Sequence, residues 1–312
     1  MYSFVIPCYN SSESIRHVVE LTMEEMEKMN RREFEFVLVN DYSSSTKTMP
    51  VLKKLAEEYP CVTVLNLAKN AGQHNAIMAG LNYAKGDILI GMDDDMQTHP
   101  SQLPYLFEEL EKGYDIVYGY YPEKKHSAFR NFGSWVNYIS VRILIGKPKE
   151  LKTSSYWVAR KFVRDSVIEY QAPYAYIQGL FLHTTRNISC IPIQHFQREE
   201  GESNYTFKRL LKLWSNIIGF SITPLRLTEY CGFGLSLLSI IAAVVVLIRK
   251  ILNPAMALGW PSLMIVICFF SGIQLMFLGL IGEYIGRMFL GLNRQPQYVI
   301  REVIRQESEE QE

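Results

Sequence analysis

Short apolar runs alternate with stretches of helical periodicity from the first residues onward. "YSFVIP" is followed by a helix-like stretch beginning near Ser14, and "FEFVLVN" by one that ends near Tyr59. "CVTVLNL" precedes "QHNAIMAGLNYAKG", in which Ala76, Ile77, Gly80, Leu81 and Ala84 share one face. "DILIGM" precedes "SQLPYLFEELEKG", and "YDIVYG" closes the series. Strand, helix, strand in steps of roughly 30 residues predicts an α/β fold with a parallel, doubly wound sheet. Ligands of such sheets bind beyond the carboxyl ends of the strands. Those ends carry Pro7–Asn10, Asn40–Ser43, Asn70–Gln73 and Asp93–Gln97, which are predicted to converge on one crevice.

The pattern then changes. Tyr230 to Ile248 and Trp260 to Gly282 contain no charged residue, and each reaches the roughly 20 residues that cross a bilayer as a helix. Ordinary core helices keep a polar face and these do not. Lys208, Arg209, Lys212 and Arg226 precede the first stretch, and Arg287, Arg294 and Arg301 follow the second. Only Arg249 and Lys250 lie between them, which predicts that both ends face the cytoplasm. The expected organisation is a cytoplasmic domain over 1–225, a transmembrane helix at 228–250, an external loop at 251–259, a second transmembrane helix at 260–282 and a cytoplasmic tail at 283–312. The protein is thus expected in the plasma (inner) membrane, crossing it more than once.

Two amphipathic stretches lie between. One, near 130–146, sets Phe132, Trp135, Val136, Ile139 and Ile143 on one face; it fits a core helix and an interfacial one equally. The other, near 207–220, adds Lys208, Arg209 and Lys212 beside an aromatic stripe close to the first apolar helix. It reads as a helix in the headgroup layer.

Composition removes some function classes. Lys+Arg and Asp+Glu balance at 32 each, which gives no support to nucleic-acid binding. The five cysteines are scattered without a C-x-x-C pair, so neither a disulfide framework nor a zinc site is expected. The N-terminal "MYSFVIPCYN" has no basic leader, in keeping with a cytoplasmic first domain. No Walker loop is present; the glycines of "CGFGLS" lie in an apolar helix without a preceding strand.

The chemistry gathers at "GMDDDMQTHP". Three adjacent aspartates end an apolar strand, with Gln97 two residues further on. Asp93, Asp95 and Gln97 offer oxygen donors within one turn, the ligand type that Mg²⁺ or Mn²⁺ takes while sharing a substrate's phosphates. An acidic run by itself is more often solvated surface. Its place after a buried-looking strand, level with three other polar strand ends, favours a metal site.

As a set, "FVIPCYN" with Glu13, "VLVNDYSS", "NAGQHNAIMAG", "DDDMQTHP", "REEGESNY" and "GEYIGRMF" after the apolar hairpin resemble family 2 of the glycosyltransferases, with the GT-A fold. More narrowly, they resemble its polyprenyl-phosphate branch, and the likeness spans nearly the whole chain. The resemblance implies that Pro7, Tyr9 and Glu13 line the nucleotide's base and ribose and that Asp41 contacts the base. It implies donor binding at Asn10, Gln73, Asp93, Asp94 and Ser203, and a metal held by Asp93, Asp95 and Gln97. Asp94 is the lesser candidate, since the family often has alanine there. Arg198 matches the arginine that grips the diphosphate when the loop carrying Ser203 and Tyr205 closes. Relatives of this kind form homotetramers.

The chain departs from the family's pattern in three places. "NDYSSS" stands for "DDGSxD", so Tyr42 and Ser45 replace glycine and aspartate. Tyr120 stands where many relatives have arginine, with Lys124 and Lys125 nearby. Thr153 stands where many have an acidic residue that serves as candidate base. A lipid monophosphate has a second pKa of about 6 and arrives ionised, so it needs charge compensation more than a base. Arg198, Arg130 and a metal at Asp95 are the expected sources. The function expected is inverting transfer of one sugar from a nucleotide diphosphate, UDP-linked in the first instance, to undecaprenyl phosphate at the cytoplasmic membrane face. The alternatives are a processive polysaccharide synthase, which the lack of a Q-x-x-R-W signature disfavours, and an inactive nucleotide-sugar-binding membrane scaffold.

Overall fold

A computed structural model describes residues 1–122, 146–194, 222–252 and 259–306. The expected strands form at β1 (Tyr2–Cys8), β2 (Phe34–Asn40), β3 (Val62–Leu67), β4 (Ile88–Gly91) and β5 (Ile116–Tyr120). Between the first four run α1 (Ser14–Lys28), α2 (Thr48–Glu58) and α3 (Gln73–Tyr83), and α4 (Leu103–Glu111) leads to β5. Further on lie β6 (Trp157–Arg160), α5 (Lys161–Ile168), α6 (Ile177–Thr184), β7 (Ile188–Pro192), the long helices α7 (Thr223–Leu252) and α8 (Trp260–Leu292), and β8 (Ile300–Ile304).

The eight strands among the described residues join one sheet in the order β7-β5-β6-β4-β1-β2-β3-β8. Its centre, β3-β2-β1-β4, is parallel, as the strand–helix alternation requires. These strands are covered on both faces, and their side chains divide with period two. Val5, Val37 and Val39 pack with α3, α5 and α6, while Phe4, Ile6, Phe36 and Leu38 pack with α1, α2 and α4. Strand order reverses between β1 and β4, the place where such sheets open a crevice beyond the strand ends.

Outside that centre the sheet is mixed. β6 inserts antiparallel between β4 and β5. Its Trp157 lies opposite Gly91, and a Cβ on Gly91 would run into the indole. Glycine at the end of β4 thus lets a buried tryptophan seat the neighbouring strand. The far edge is closed by β8, antiparallel to β3 with Val64 opposite Ile304 and Leu65 opposite Val303. Residues 300–304, expected in a tail, are therefore part of the sheet.

Two helices among the described residues are long and apolar enough to cross a membrane, over Thr223–Val246 and Phe269–Leu292. The amphipathic stretches near 130–146 and 207–220 lie outside the described residues, apart from Gly146.

Candidate active site

The strand ends meet as their sequence positions suggest, and each loop is tied to the next by hydrogen bonds. At the end of β2, Asp41 is 4% exposed. Its carboxylate accepts from the amides of Ala71 at 2.6 Å and Gly72 at 2.9 Å. Gly72 has φ 86°, a left-handed conformation that glycine adopts without steric cost and that aims these amides at one anion. Asp41 thereby fixes the start of α3.

At the end of β1, Asn10 is itself left-handed, with φ 61°. Its amide donates to Ser43 Oγ at 3.1 Å, and its side-chain oxygen accepts from the Ser45 amide at 2.9 Å. The two strand ends are locked together. Pro7 is buried in the strand, whereas Tyr9 and Glu13 are exposed, Tyr9 to 52%.

The three aspartates after β4 have three different environments. Asp93 accepts from Gln73 Nε2 at 3.0 Å on one oxygen and from the Ser155 hydroxyl on the other. Its amide donates to Thr98 Oγ1 at 3.0 Å. Asp94 faces the opposite way: its Oδ2 accepts from the Tyr9 amide at 3.1 Å, and its carbonyl accepts from the Ser14 hydroxyl. Burial raises the Asp94 pKa above the usual carboxylate range, partly offset by the hydrogen bond from the Tyr9 amide. Asp95 accepts from the Gln97 amide at 3.1 Å, closing the loop on itself. The loop turns through Met96, at φ 64° and buried.

Among the described residues, no group of three or more His, Cys, Asp or Glu side chains gathers to hold a metal. Asp94 is turned toward β1, so the candidate oxygen ligands are the carboxylates of Asp93 and Asp95 and the side-chain oxygen of Gln97. That donor set still suits Mg²⁺ or Mn²⁺, which are bound through one or two carboxylates together with water and substrate phosphates. Arg198, Arg130 and Ser203, expected to complete the site, lie outside the described residues.

Two residues near the aspartates had no signal in the chain. Ser155 precedes β6 and meets Asp93 only because β6 pairs with β4. Tyr121 follows β5, and its hydroxyl donates to the Gln97 carbonyl at 2.6 Å. Burial and then the charges of Asp93 and Asp95 raise the Tyr121 pKa, so its phenol stays protonated. At Thr153, the hydroxyl accepts from Lys147 Nζ at 3.4 Å. His74, behind Gln73, has a buried Nδ1 without a hydrogen-bond partner and meets the Tyr176 ring edge-on at 5.1 Å. Burial lowers its pKa to about 4.

The family model described as glycosyl transferase family 2 matches residues 3–170. Among curated proteins, the chain is 34% identical to an undecaprenyl-phosphate 4-deoxy-4-formamido-L-arabinose transferase of Edwardsiella ictaluri, over 99% of this chain and 97% of that one. It is 33% identical to a protein of the same name from Pseudomonas savastanoi pv. phaseolicola, over 98% and 92%. Among solved structures, glucosyl-3-phosphoglycerate synthase from Mycobacterium tuberculosis, crystallised with Mn²⁺, uridine diphosphate and phosphoglyceric acid, superposes with a TM-score of 0.52. That match is 15% identical and covers 70% of this chain and 76% of that one. A second structure, described as a mycobacterial protein, gives a TM-score of 0.51 at 15% identity, over 70% and 73%. At such identities the likeness shows the GT-A type of fold alone.

Proposed function

The chain belongs to glycosyl transferase family 2, and on that premise we propose that it moves one sugar from a UDP-linked donor to undecaprenyl phosphate, with inversion, at the cytoplasmic membrane face. The observation that carries the reading is the position of Asp93 and Asp95 beyond β4, at the reversal of strand order, in a sheet whose last strand returns from two long apolar helices. A lipid acceptor does not leave the bilayer, so the crevice has to be held beside it. The relatives named for undecaprenyl phosphate match nearly the whole chain, apolar helices included.

Sheet connectivity supports one membrane topology. β7 precedes α7 and β8 follows α8, yet both strands belong to one sheet. Two crossings between them would leave both strands on one side of a bilayer, which supports a hairpin with both ends on the side of the crevice. The excess of Lys and Arg outside the hairpin supports the cytoplasm as that side.

In the reaction, the acceptor phosphate attacks the anomeric carbon and the nucleoside diphosphate departs. The acceptor arrives as an anion, since its second pKa is about 6. No carboxylate is needed at Thr153, where the hydroxyl instead meets Lys147. A divalent cation held by Asp93 and Asp95 with Gln97 would neutralise the diphosphate and make it a better leaving group. Gln73 and Ser155 fix the Asp93 carboxylate from two sides, so its oxygens need little rearrangement when the donor binds. Asp41 and Asn10 hold the loops that line the nucleotide. Arg198 and Arg130 are assigned the remaining charge compensation.

The test is purified protein with radiolabelled nucleotide sugars and undecaprenyl phosphate. A chloroform-soluble, single-sugar product that depends on both the lipid and Mg²⁺ or Mn²⁺ is expected. Polymer formation, or no turnover with any donor, overturns the reading.

A further inference from the structure

Tyr42 follows Asp41 at the end of β2, with φ 54° and its side chain 53% exposed. A bulky side chain seldom adopts this left-handed conformation, which glycine takes without strain. Packing does not explain the choice, because the ring is largely outside the core. The backbone on either side is firmly held. Asp41 anchors the start of α3, and Ser43 donates its hydroxyl to Asn40 Oδ1 at 2.6 Å while accepting from the Asn10 amide at 3.1 Å. A strained, exposed aromatic on a rigid support at the mouth of a crevice is the kind of feature that a ligand rather than folding maintains.

Strand order supplies a ruler. β2, β1 and β4 are consecutive in the sheet. Tyr42 at the end of β2 is therefore two strand spacings, about 10 Å, from the aspartates after β4. That is comparable to the span of a nucleoside diphosphate, with its base at one end and its phosphates at the other. Tyr9, exposed at the end of β1, stands between. We propose that Tyr42 is a stacking platform for the base of the donor nucleotide, whose diphosphate lies at Asp93 and Asp95. The flat ring offers a face that any base can stack on, so it adds affinity more than base choice. This assignment rests on the nucleotide-sugar reading above.

The test measures binding of UDP, GDP, CDP and inorganic pyrophosphate to the full-length protein in neutral detergent with Mn²⁺, by titration calorimetry. Wild type is expected to bind at least one nucleoside diphosphate more tightly than pyrophosphate. Tyr42→Phe should keep that preference. Tyr42→Leu and Tyr42→Gly should each weaken the nucleoside diphosphate about tenfold and leave pyrophosphate unchanged. Tyr42→Gly should do so with a thermal midpoint no lower than wild type, because it relieves the backbone; lost affinity is then not lost folding. Unchanged nucleotide affinity in Tyr42→Leu and Tyr42→Gly, or an equal loss for pyrophosphate, overturns the assignment. If wild type itself prefers no nucleoside diphosphate over pyrophosphate, the nucleotide-sugar reading fails first.

Discussion

Asp94 Oδ2 lies 3.1 Å from the backbone nitrogen of Tyr9 and accepts its hydrogen bond, tying the loop after β4 to the end of β1. The central aspartate of the three thus ties two strand ends together, whereas Asp93 and Asp95 are the pair proposed above to hold the cation.

This division separates the two substitutions. Asp95→Asn removes a negative oxygen from the donor-facing set and should lower transfer more than about a hundredfold, with folding intact. Asp94→Asn keeps an acceptor for the Tyr9 amide and should lose less than about tenfold. Steady-state transfer assays, with circular dichroism as the folding control, check both. Equal losses would contradict the assignment.

Ser155→Ala takes away a side-chain donor on Asp93, leaving that of Gln73 in place. Outer partners of this kind typically change metal affinity by about tenfold or more when lost. Mn²⁺ binding in the presence of UDP, followed by electron paramagnetic resonance, should weaken by about that factor. An unchanged Mn²⁺ affinity would make the contact merely structural.

His74 gives a pH dependence of stability. Its native pKa of about 4 lies below the usual value, so the unfolded chain takes up a proton first as pH falls. Stability present above pH ~6.5 is lost progressively down to about 4, by at most about 3 kcal/mol. His74→Leu should flatten the fall in thermal midpoint across that window. If the variant keeps the wild-type slope, other groups cause it.

Removing residues 300–312 deletes β8 and leaves the β3 edge unpaired. The Lys53–Glu302 ion pair at 3.4 Å is exposed on both sides and contributes little. The loss is mainly backbone pairing and the cover of Ile300 and Ile304. A lower thermal midpoint and self-association at the bare edge are expected, read by differential scanning fluorimetry and light scattering. A truncated protein as stable and monodisperse as the full chain would argue against a structural β8.

The central strands and helices were legible because their signal is local: apolar runs of strand length, helical stripes between them, and polar residues at each strand's end. The aspartate loop was legible for the same reason. Tyr42 was visible as a departure from the family pattern, but not its φ of 54°, which depends on how the loop closes between Asp41 and Ser43. β6, β7 and β8 carry too little local signal: "WVAR", "ISCIP" and "IREVI" are too short and too mixed to announce themselves.

Chain order alone determined the alternation that builds a parallel sheet, the two apolar helices, and a carboxylate pair of the kind that hard cations take. These are properties of neighbouring residues and their periodicity. Tertiary structure decided that Asp94 turns to Tyr9, that Ser155 reaches Asp93 from 62 residues away, and that the segment after the last apolar helix returns to β3. Each of these joins residues distant in sequence, and such pairings are set by how strands order themselves in the sheet, which no local pattern encodes.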